Sequence, residues 1–216
     1  MINSDKLAMW PVVVTLCLCA SLLCAANFTV TDKVIAFVQN KYGDRAVLRV
    51  KYWQKIMDEG KSLSDAEKLE KVNGFFNQIR FIDDIKHWKQ KDYWATPVEF
   101  LGTNGGDCED FSIAKYFTLK ALGIPESQMR LTYVKAIELN QAHMVLTYFK
   151  TPGAEPLVLD NLMAEIKPAS KRQDLLPVYS FNGDGLWLAK ARGLGKRVGD
   201  SGRINLWKDL MRRMGQ

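Results

Sequence analysis

Residues 105–123 read GGDCEDFSIAKYFTLKALG, and this stretch decides the fold. Its apolar side chains recur every three or four residues, and it ends at Gly123 with Pro125 two residues later. This pattern predicts one helix from Asp107 to Leu122. Cys108 lies in the first turn of that helix, directly after two glycines and an aspartate. The sequence therefore predicts a central helix that carries a thiol at its N-terminus.

The residues before the central helix are also helical in pattern. Apolar side chains recur at steps of three and four from residue 34 to residue 57, and glycines separate the segments. A third helix is indicated by Ser64, a suitable N-cap, with Glu67 three residues later as in a capping box. Residues 81–107 mix charged, aromatic and glycine residues, so we expect a long structured loop there with one short helix.

After the central helix, the apolar pattern changes to that of β-strands. Short runs rich in Val, Leu, Thr and Tyr predict successive antiparallel strands at 130–136, 142–149 and 157–162. We expect a further hairpin at 179–188, where Asn182-Gly183-Asp184-Gly185 suits a tight turn with positive φ angles. A final helix is predicted at 203–214. The order of these elements indicates an α+β fold, with N-terminal helices and a central helix packed on an antiparallel sheet.

The first 26 residues differ in composition from the rest of the chain. An almost unbroken apolar run extends from Leu7 to Ala26 and ends in two alanines, which predicts a signal peptide at 1–26, cleaved after Ala26. The run is nearly long enough to span a bilayer, so an uncleaved anchor is the alternative. We expect the remaining residues, 27–216, to form one exported domain.

The net charge of +6 comes from one end of the chain. Residues 190–216 hold eight Lys or Arg side chains and two Asp, and the charges before them cancel. A basic segment of this kind is usually a solvated surface, and a docking surface for an acidic partner is the alternative. Because the chain is expected to be exported, we predict that it has no nucleic acid partner.

Cysteine and histidine content limits the site chemistry. Three of the four cysteines lie within the predicted signal peptide, so Cys108 is the one thiol of the mature domain and cannot form an intrachain disulfide. Two histidines and one cysteine, far apart in sequence, do not supply a tetrahedral zinc site.

Cys108, His143 and Asp160 are candidates for nucleophile, base and orienting carboxylate. A thiol at a helix N-terminus meets unpaired amides and the positive end of the helix dipole, which lower its pKa and suit an oxyanion. His143 lies on a predicted strand and Asp160 ends the next one. Neighbouring strands lie about 5 Å apart, so this carboxylate can orient that imidazole. The alternative is that the histidine and the cysteine are ordinary packed side chains.

Three motifs of the chain resemble the bacterial transglutaminase-like cysteine proteinases of the LapG type. They are Gly106 to Phe111 (GDCEDF), Ala142 to Val145 (AHMV) and Leu159 to Asn161 (LDN). Upstream, the segment Tyr93 to Pro97 (YWATP) and the pair Glu99-Phe100 are also similar to that family. The resemblance covers most of the predicted mature domain.

The resemblance implies a papain-like, transglutaminase-related fold and a periplasmic endopeptidase. Such an enzyme cuts a large surface adhesin near its N-terminus, between two alanines, and so releases cells from a biofilm. By this likeness Cys108 attacks the scissile carbonyl, His143 moves the proton and Asp160 holds His143. The family also implies control by an inner-membrane cyclic di-GMP receptor of the LapD type, which sequesters the protease.

Asp107, Glu109 and Asp110 surround the candidate nucleophile. Carboxylates this close should raise the pKa of the thiol and disfavour the thiolate. One or two of them could cap the helix and complement its dipole, whereas three favour an oxygen-liganded cation such as Ca²⁺. The resemblance likewise assigns calcium to these three residues, so we expect calcium-dependent activity.

Two other functions are compatible with the same residues. An acyltransferase of the transglutaminase type would use the same Cys-His-Asp triad with an amine as the second substrate. A non-catalytic binding module stabilised by calcium would use the acidic residues alone. Incorporation of a labelled amine distinguishes the first of these from a protease, and the Cys108→Ala variant distinguishes the second.

Overall fold

The computed structural model describes residues 30–190 and 193–215, so the predicted signal peptide lies outside the described residues. Three helices form the N-terminal part: α1 (Asp32–Tyr42), α2 (Asp44–Glu59) and α3 (Asp65–Phe76). Gly43, at a φ of +79°, separates the first two, and Ser64 and Glu67 form the capping box that begins the third. These helix predictions are confirmed.

The loop before the central helix contains more structure than we predicted. It holds two short helices, α4 (Asp84–His87) and α5 (Pro97–Thr103), and two short parallel strands, β1 (Arg80–Phe81) and β2 (Gly105–Gly106). The expectation of a single short helix is therefore wrong. Helix α4 has one turn, which is too short to show an apolar period in the sequence.

The central helix α6 (Cys108–Ala121) lies where we predicted it. We expected one apolar side, but every residue from 110 to 119 is buried, including the completely buried Lys115. The reason is that α6 contacts α3 and α5 as well as the sheet. A helix covered by its neighbours on all sides has no solvent face to keep polar.

Within the described residues, a seven-stranded antiparallel sheet packs against α6, which confirms the predicted α+β class. Its spatial order is β6-β5-β4-β3-β7-β8-β9. The strands are β3 (Met129–Ala136), β4 (Gln141–Tyr148), β5 (Leu157–Leu159), β6 (Lys167–Pro168), β7 (Leu175–Phe181), β8 (Leu186–Lys190) and β9 (Gly193–Gly199). Strand β3 pairs with both β4 and β7, so the strand that carries His143 lies beside the sheet's middle strand.

The turn between β7 and β8 differs from our expectation. Residues 182–185 connect the two strands, as predicted, but none of these four has a positive φ. Instead, the Asn182 side-chain oxygen accepts hydrogen bonds from the amides of Asp184 and Gly185. An Asn side chain that bonds the backbone two residues ahead closes a turn without left-handed residues.

The last helix, α7 (Asn205–Arg213), covers the end of the core. Trp207 is buried and stacks on Phe117 of the central helix, as the predicted amphipathic pattern suggested. In the described parts of the chain, no helix combines the length and apolarity that crossing a bilayer requires.

Candidate active site

A cavity of about 160 Å³ opens at the N-terminus of α6. Residues from the preceding loop, the helix and the sheet line it. Cys108 and His143, which are 35 positions apart in sequence, both contribute to its wall. Two of the three candidate catalytic residues therefore meet at one cavity.

His143 and Asp160 form a buried pair. The side-chain distance from His143 Nε2 to Asp160 Oδ1 is 2.8 Å, and only 3% of His143 is exposed. Asp160 directly follows Leu159, which pairs with Leu146 on the histidine's strand. The sheet thus brings the carboxylate to the imidazole across the β4–β5 pairing, as the sequence predicted.

The environment of Asp160 favours its ionised form. Burial alone would raise the pKa of Asp160, but hydrogen bonds from His143, the Leu162 amide and Arg172 lower it to about 2. An ionised carboxylate accepts hydrogen bonds and cannot donate one, so the shared proton belongs to His143 Nε2. In the neutral imidazole, the other ring nitrogen, Nδ1, then carries the lone pair and can act as a base.

Cys108 is the first residue of α6, but its thiol is directed to a carboxylate. Its Sγ atom donates a hydrogen bond to Glu109 Oε2 at 2.7 Å. Burial, followed by the charges of Glu109 and Asp107, raises the pKa of the Cys108 thiol well above its usual value. The lower thiol pKa that we expected from the helix dipole is therefore outweighed in this structure. A direct contact between the thiol and His143 stays a prediction.

A cluster of three carboxylates lies beside the nucleophile. Oxygen atoms of Asp84, Asp107 and Asp110 lie within 4.8 Å of one another. One oxygen each of Asp84 and Asp107, Oδ1 in both cases, is buried without a hydrogen-bond partner. Burial and the charge of Asp107 raise the pKa of Asp84 to about 7, and burial and Glu109 raise that of Asp107 to about 8. Among the described residues, no Lys or Arg forms an ion pair with Asp84, Asp107 or Asp110, so a cation would offset the repulsion among these carboxylates.

The three predicted metal-ligating residues divide between two groups. Asp107 belongs to both, Asp110 lies with Asp84, and Glu109 lies with Asp107 and the Cys108 thiol. Asp110 also has a structural role, because it accepts hydrogen bonds from the amides of Ala95 and Asp107, at 2.7 and 3.3 Å.

Sequence reasoning did not single out Asp84 or Arg172. Asp84 is 4% exposed and starts the one-turn helix α4 in the loop of mixed charge, where nothing distinguishes it from its neighbours Asp83 and Asp92. Arg172 follows a short helical turn and reaches Asp160, with 2.7 Å between Arg172 Nη2 and Asp160 Oδ2. Neither residue belongs to a periodic pattern, so only the tertiary structure identifies them.

The upstream aromatic segment has a structural role. Trp94 is buried and stacks on Phe181, with 5.6 Å between the ring centres. Thr96 and Glu99 form the capping box of α5, and the amide of Ala95 binds Asp110. The segment therefore helps to hold the Asp110 carboxylate in place beside the nucleophile.

Comparison with known proteins agrees with this geometry. A family profile for the bacterial transglutaminase-like cysteine proteinases matches residues 55–179. EGTA-treated LapG from Legionella pneumophila is 48% identical, with a TM-score of 0.76 over 86% of this chain and 97% of that chain. Calcium-bound LapG from the same organism is 46% identical, with a TM-score of 0.74 over 86% of this chain and 99% of that one.

A search among curated proteins found no match. The family profile covers more than half of the chain, and the similarity to LapG covers 86% of it. The chain belongs to the family of bacterial transglutaminase-like cysteine proteinases.

Proposed function

We propose that this protein is a calcium-dependent cysteine endopeptidase of the periplasm, in which Cys108, His143 and Asp160 form the catalytic triad. The observation that supports the proposal most is the 2.8 Å hydrogen bond between His143 and Asp160 at a cavity that Cys108 also lines. It leaves Nδ1 of His143 as the base, on the ring's side opposite the carboxylate. The membership of a cysteine proteinase family supports the same chemistry.

The proposed reaction proceeds through an acyl-thiol intermediate. His143 Nδ1 takes the proton of the Cys108 thiol, and the sulfur attacks the scissile carbonyl carbon. The C–N bond breaks as His143 returns the proton to the leaving amine. His143 then deprotonates a water molecule, which cleaves the thioester and restores the thiol. Free amides at the start of α6 suit the oxyanion, and Asp160 keeps the imidazole oriented.

The carboxylates beside Cys108 fit a calcium ion. All the candidate ligands are oxygen atoms, which Ca²⁺ prefers, and two of them are buried without a hydrogen-bond partner. Asp84, Asp107 and Asp110, together with Glu109, would hold the ion. When bound, calcium would supply the positive charge that offsets the repulsion among these residues.

The substrate and regulation follow from the resemblance to the LapG type. We propose that residues 1–26 direct export, and that the enzyme cuts a large surface adhesin near its N-terminus at a dialanine site, which releases cells from a biofilm. We also propose that an inner-membrane cyclic di-GMP receptor of the LapD type sequesters the protease. The similarity to Legionella pneumophila LapG supports these proposals.

A cleavage assay tests the proposed function. The purified protein is incubated with an adhesin fragment that contains the dialanine site, and with a matched fragment in which the two alanines are replaced by arginines. We expect one cut in the first fragment, identified by mass spectrometry, and none in the second. Cys108→Ala should abolish cleavage, EGTA should do the same, and added Ca²⁺ should restore it after EGTA but not in the variant.

Other outcomes identify the alternative functions. Incorporation of a labelled amine into the fragment, without chain cleavage, would show an acyltransferase. Binding of the fragment with no product in either assay, and an unchanged cellular phenotype for Cys108→Ala, would show a binding module. Full activity in EGTA would remove calcium from the proposal while leaving the protease in place.

A further inference from the structure

We infer that Arg172 is a positioning residue for this site: its guanidinium holds the Asp160 carboxylate in the orientation that His143 requires. The inference rests on the proposed function for its kinetic test, but the geometry that supports it does not depend on that function. Arg172 lies in the loop between β6 and β7, away from the motifs that identify the family.

The two oxygens of Asp160 have separate partners. Asp160 Oδ1 lies 2.8 Å from His143 Nε2 and accepts the Leu162 amide at 3.0 Å. Asp160 Oδ2 accepts from Arg172 Nη2 at 2.7 Å. Since both oxygens are occupied, rotation of the carboxylate would break at least one of these hydrogen bonds. Arg172 therefore fixes which oxygen faces the imidazole.

Arg172 is itself held in place. Its Nε donates to Asp174 Oδ1 at 3.0 Å, and its Nη2 donates to Asp174 Oδ2 at 2.8 Å. The carbonyl of Asp174 accepts the Ile137 amide next to the end of β3, which ties this loop to the middle of the sheet. Arg172 as a whole is 3% exposed. A chain of contacts thus runs from His143 through Asp160 and Arg172, which are all buried, to the partly exposed Asp174.

The charges around Asp160 show why Arg172 matters. His143 faces it from β4, Lys115 from α6, and Arg172 from the loop that also carries Asp174. Lys115 Nζ makes no hydrogen bond, so Arg172 is the cation in direct contact with the carboxylate. A buried carboxylate that loses its contacting cation takes up a proton more readily. A protonated Asp160 would hold the Nε2 proton of His143 less firmly.

A loop-anchoring role alone would give different results. If Arg172 only attached its loop to the sheet, replacing it would lower the stability but leave the protonation of His143 unchanged. The distinguishing measurement is the state of the imidazole, which does not require turnover. The chain has two histidines, so the ¹⁵N spectrum of the His143 ring can be assigned with a His87→Gln variant.

The experiment compares Arg172→Met, Arg172→Lys and a control, Arg130→Met. Arg130 is a buried arginine on β3 of the same sheet, and it forms no ion pair with the acidic residues that the structure describes. In the parent protein and the control, we expect the ¹⁵N shifts of a neutral ring protonated on Nε2. In Arg172→Met, we expect a mixture of the two tautomers.

Kinetics give the second readout. For Arg172→Met, kcat/KM for the adhesin fragment should fall roughly 10- to 100-fold, as for other residues that orient a functional histidine. The acidic limb of its pH profile should move to higher pH, because Asp160 would take up a proton within the working range. Arg172→Lys keeps the charge and should recover part of the activity, while Arg130→Met should have the profile of the parent.

Each outcome decides the inference. Unchanged ¹⁵N shifts and an unchanged pH profile in Arg172→Met would overturn it. If that variant does not fold, Arg172→Gln, which also removes the charge, carries the test with the same two readouts, and normal ring shifts with an unchanged pH profile in that variant would overturn the inference equally. Changed ring shifts in Arg172→Met, together with no cleavage of the fragment by the parent protein, would support the inference and refute the proposed function.

Discussion

Two carboxylates of the site, Asp160 and Asp84, have opposite environments. Asp160 receives hydrogen bonds on both oxygens and has a pKa of about 2, whereas Asp84 has one buried oxygen without a partner and a pKa of about 7. The first is satisfied by protein groups alone. Asp84, in contrast, lies close to Asp107 and Asp110, and the described residues do not neutralise the negative charge of this group. This difference separates the triad from the proposed metal site.

The substitution Asp84→Asn should have opposite effects with and without calcium. Without the ion, the amide removes a charge that is repelled by Asp107, so we expect the melting temperature to rise by about 2–4 °C. With the ion, a ligand charge is lost, and the calcium concentration for half-maximal activity should rise by about tenfold or more. Differential scanning calorimetry and calcium titration of the cleavage assay measure the two effects.

Asp58→Asn is the matched control for this substitution. Asp58 is exposed on α2, where it accepts a hydrogen bond from the side chain of Gln54. We expect neither its metal-free stability nor its calcium dependence to change. A lower melting temperature for metal-free Asp84→Asn would show that Asp84 stabilises the fold and would contradict the assignment.

The metal-free protein should lose stability as the pH rises from about 4 to about 8. The pKa values of Asp84 and Asp107, about 7 and about 8 in the folded state, lie above the ordinary carboxyl value of 3.8. The folded protein therefore binds these protons more tightly than the unfolded chain, and ionisation costs stability across this interval. Asp160, with its lowered pKa, contributes stability that is lost only below about pH 4, so the two effects are separable.

Urea denaturation at pH 5, 6, 7 and 8 checks this pH dependence. We expect the midpoint to fall with pH in chelated buffer and to recover in calcium, with the largest recovery at pH 8. A midpoint that rises through this interval without calcium would contradict the assignment of Asp84 and Asp107 as destabilising charges.

At the scale of elements, the start of α6 requires a close approach between β2 and the helix. A Cβ atom on Gly106 would lie 2.2 Å from Asp110 Oδ2 and 2.8 Å from the ring of Phe100. Asp110 cannot move away freely because it accepts the Ala95 amide. A glycine before the nucleophile therefore allows the acidic residues and the helix terminus to pack together.

We expect Gly106→Ala to lower the free energy of unfolding by about 1–3 kcal/mol, the usual cost of overpacking. The control is Gly74→Ala on the exposed side of α3, where an added Cβ meets no atom within 4 Å. An alanine in the middle of a helix should raise the free energy of unfolding by about 0.5–1 kcal/mol. Urea denaturation of both variants measures the contrast, and equal effects would refute the steric explanation.

At the scale of the whole molecule, α7 joins the C-terminal segment to the loop behind the site. Arg213 donates to Glu99 Oε2 at 2.6 Å and to the carbonyl of Trp94, and its guanidinium lies over the ring of Tyr93. Part of the basic charge at the C-terminus is therefore used within the protein. The sequence had suggested a solvated surface or a docking surface.

Arg213→Met should lower the free energy of unfolding by about 1–3 kcal/mol, because the half-buried carboxylate of Glu99 loses a charged donor. Arg212→Met is the control. The Arg212 side chain is 77% exposed and, within the part of the chain that the structure describes, forms an ion pair with Asp209 alone, so a change within about 0.5 kcal/mol is expected. Limited proteolysis should release the C-terminal helix faster in the first variant alone. Equal rates in both would show that α7 is held by its apolar contacts.

The sequence predicted the central helix and the strand of His143 well, because both are local patterns. The spacing of apolar residues specifies an element, and the glycine after α6 specifies its end. The sequence predicted α4 poorly, because a single helical turn shows no apolar period. It also predicted the turn at 182–185 poorly, because a hydrogen bond to the Asn182 side chain closes this turn without the expected positive φ angles. The burial of Lys115 was also missed, since a helix covered on every side shows no amphipathic pattern that would mark it.

The sequence by itself determined the elements, the position of Cys108 at a helix N-terminus and the motifs of the family, since each depends on residues close together in the chain. Only the tertiary structure placed Asp84 beside Asp107 and Arg172 behind Asp160. These contacts join loops whose residues follow no repeating pattern, and they form only when the sheet and the helices pack together. The thiol's contact with Glu109 likewise depends on burial and on local charge, which spacing along the chain does not reveal.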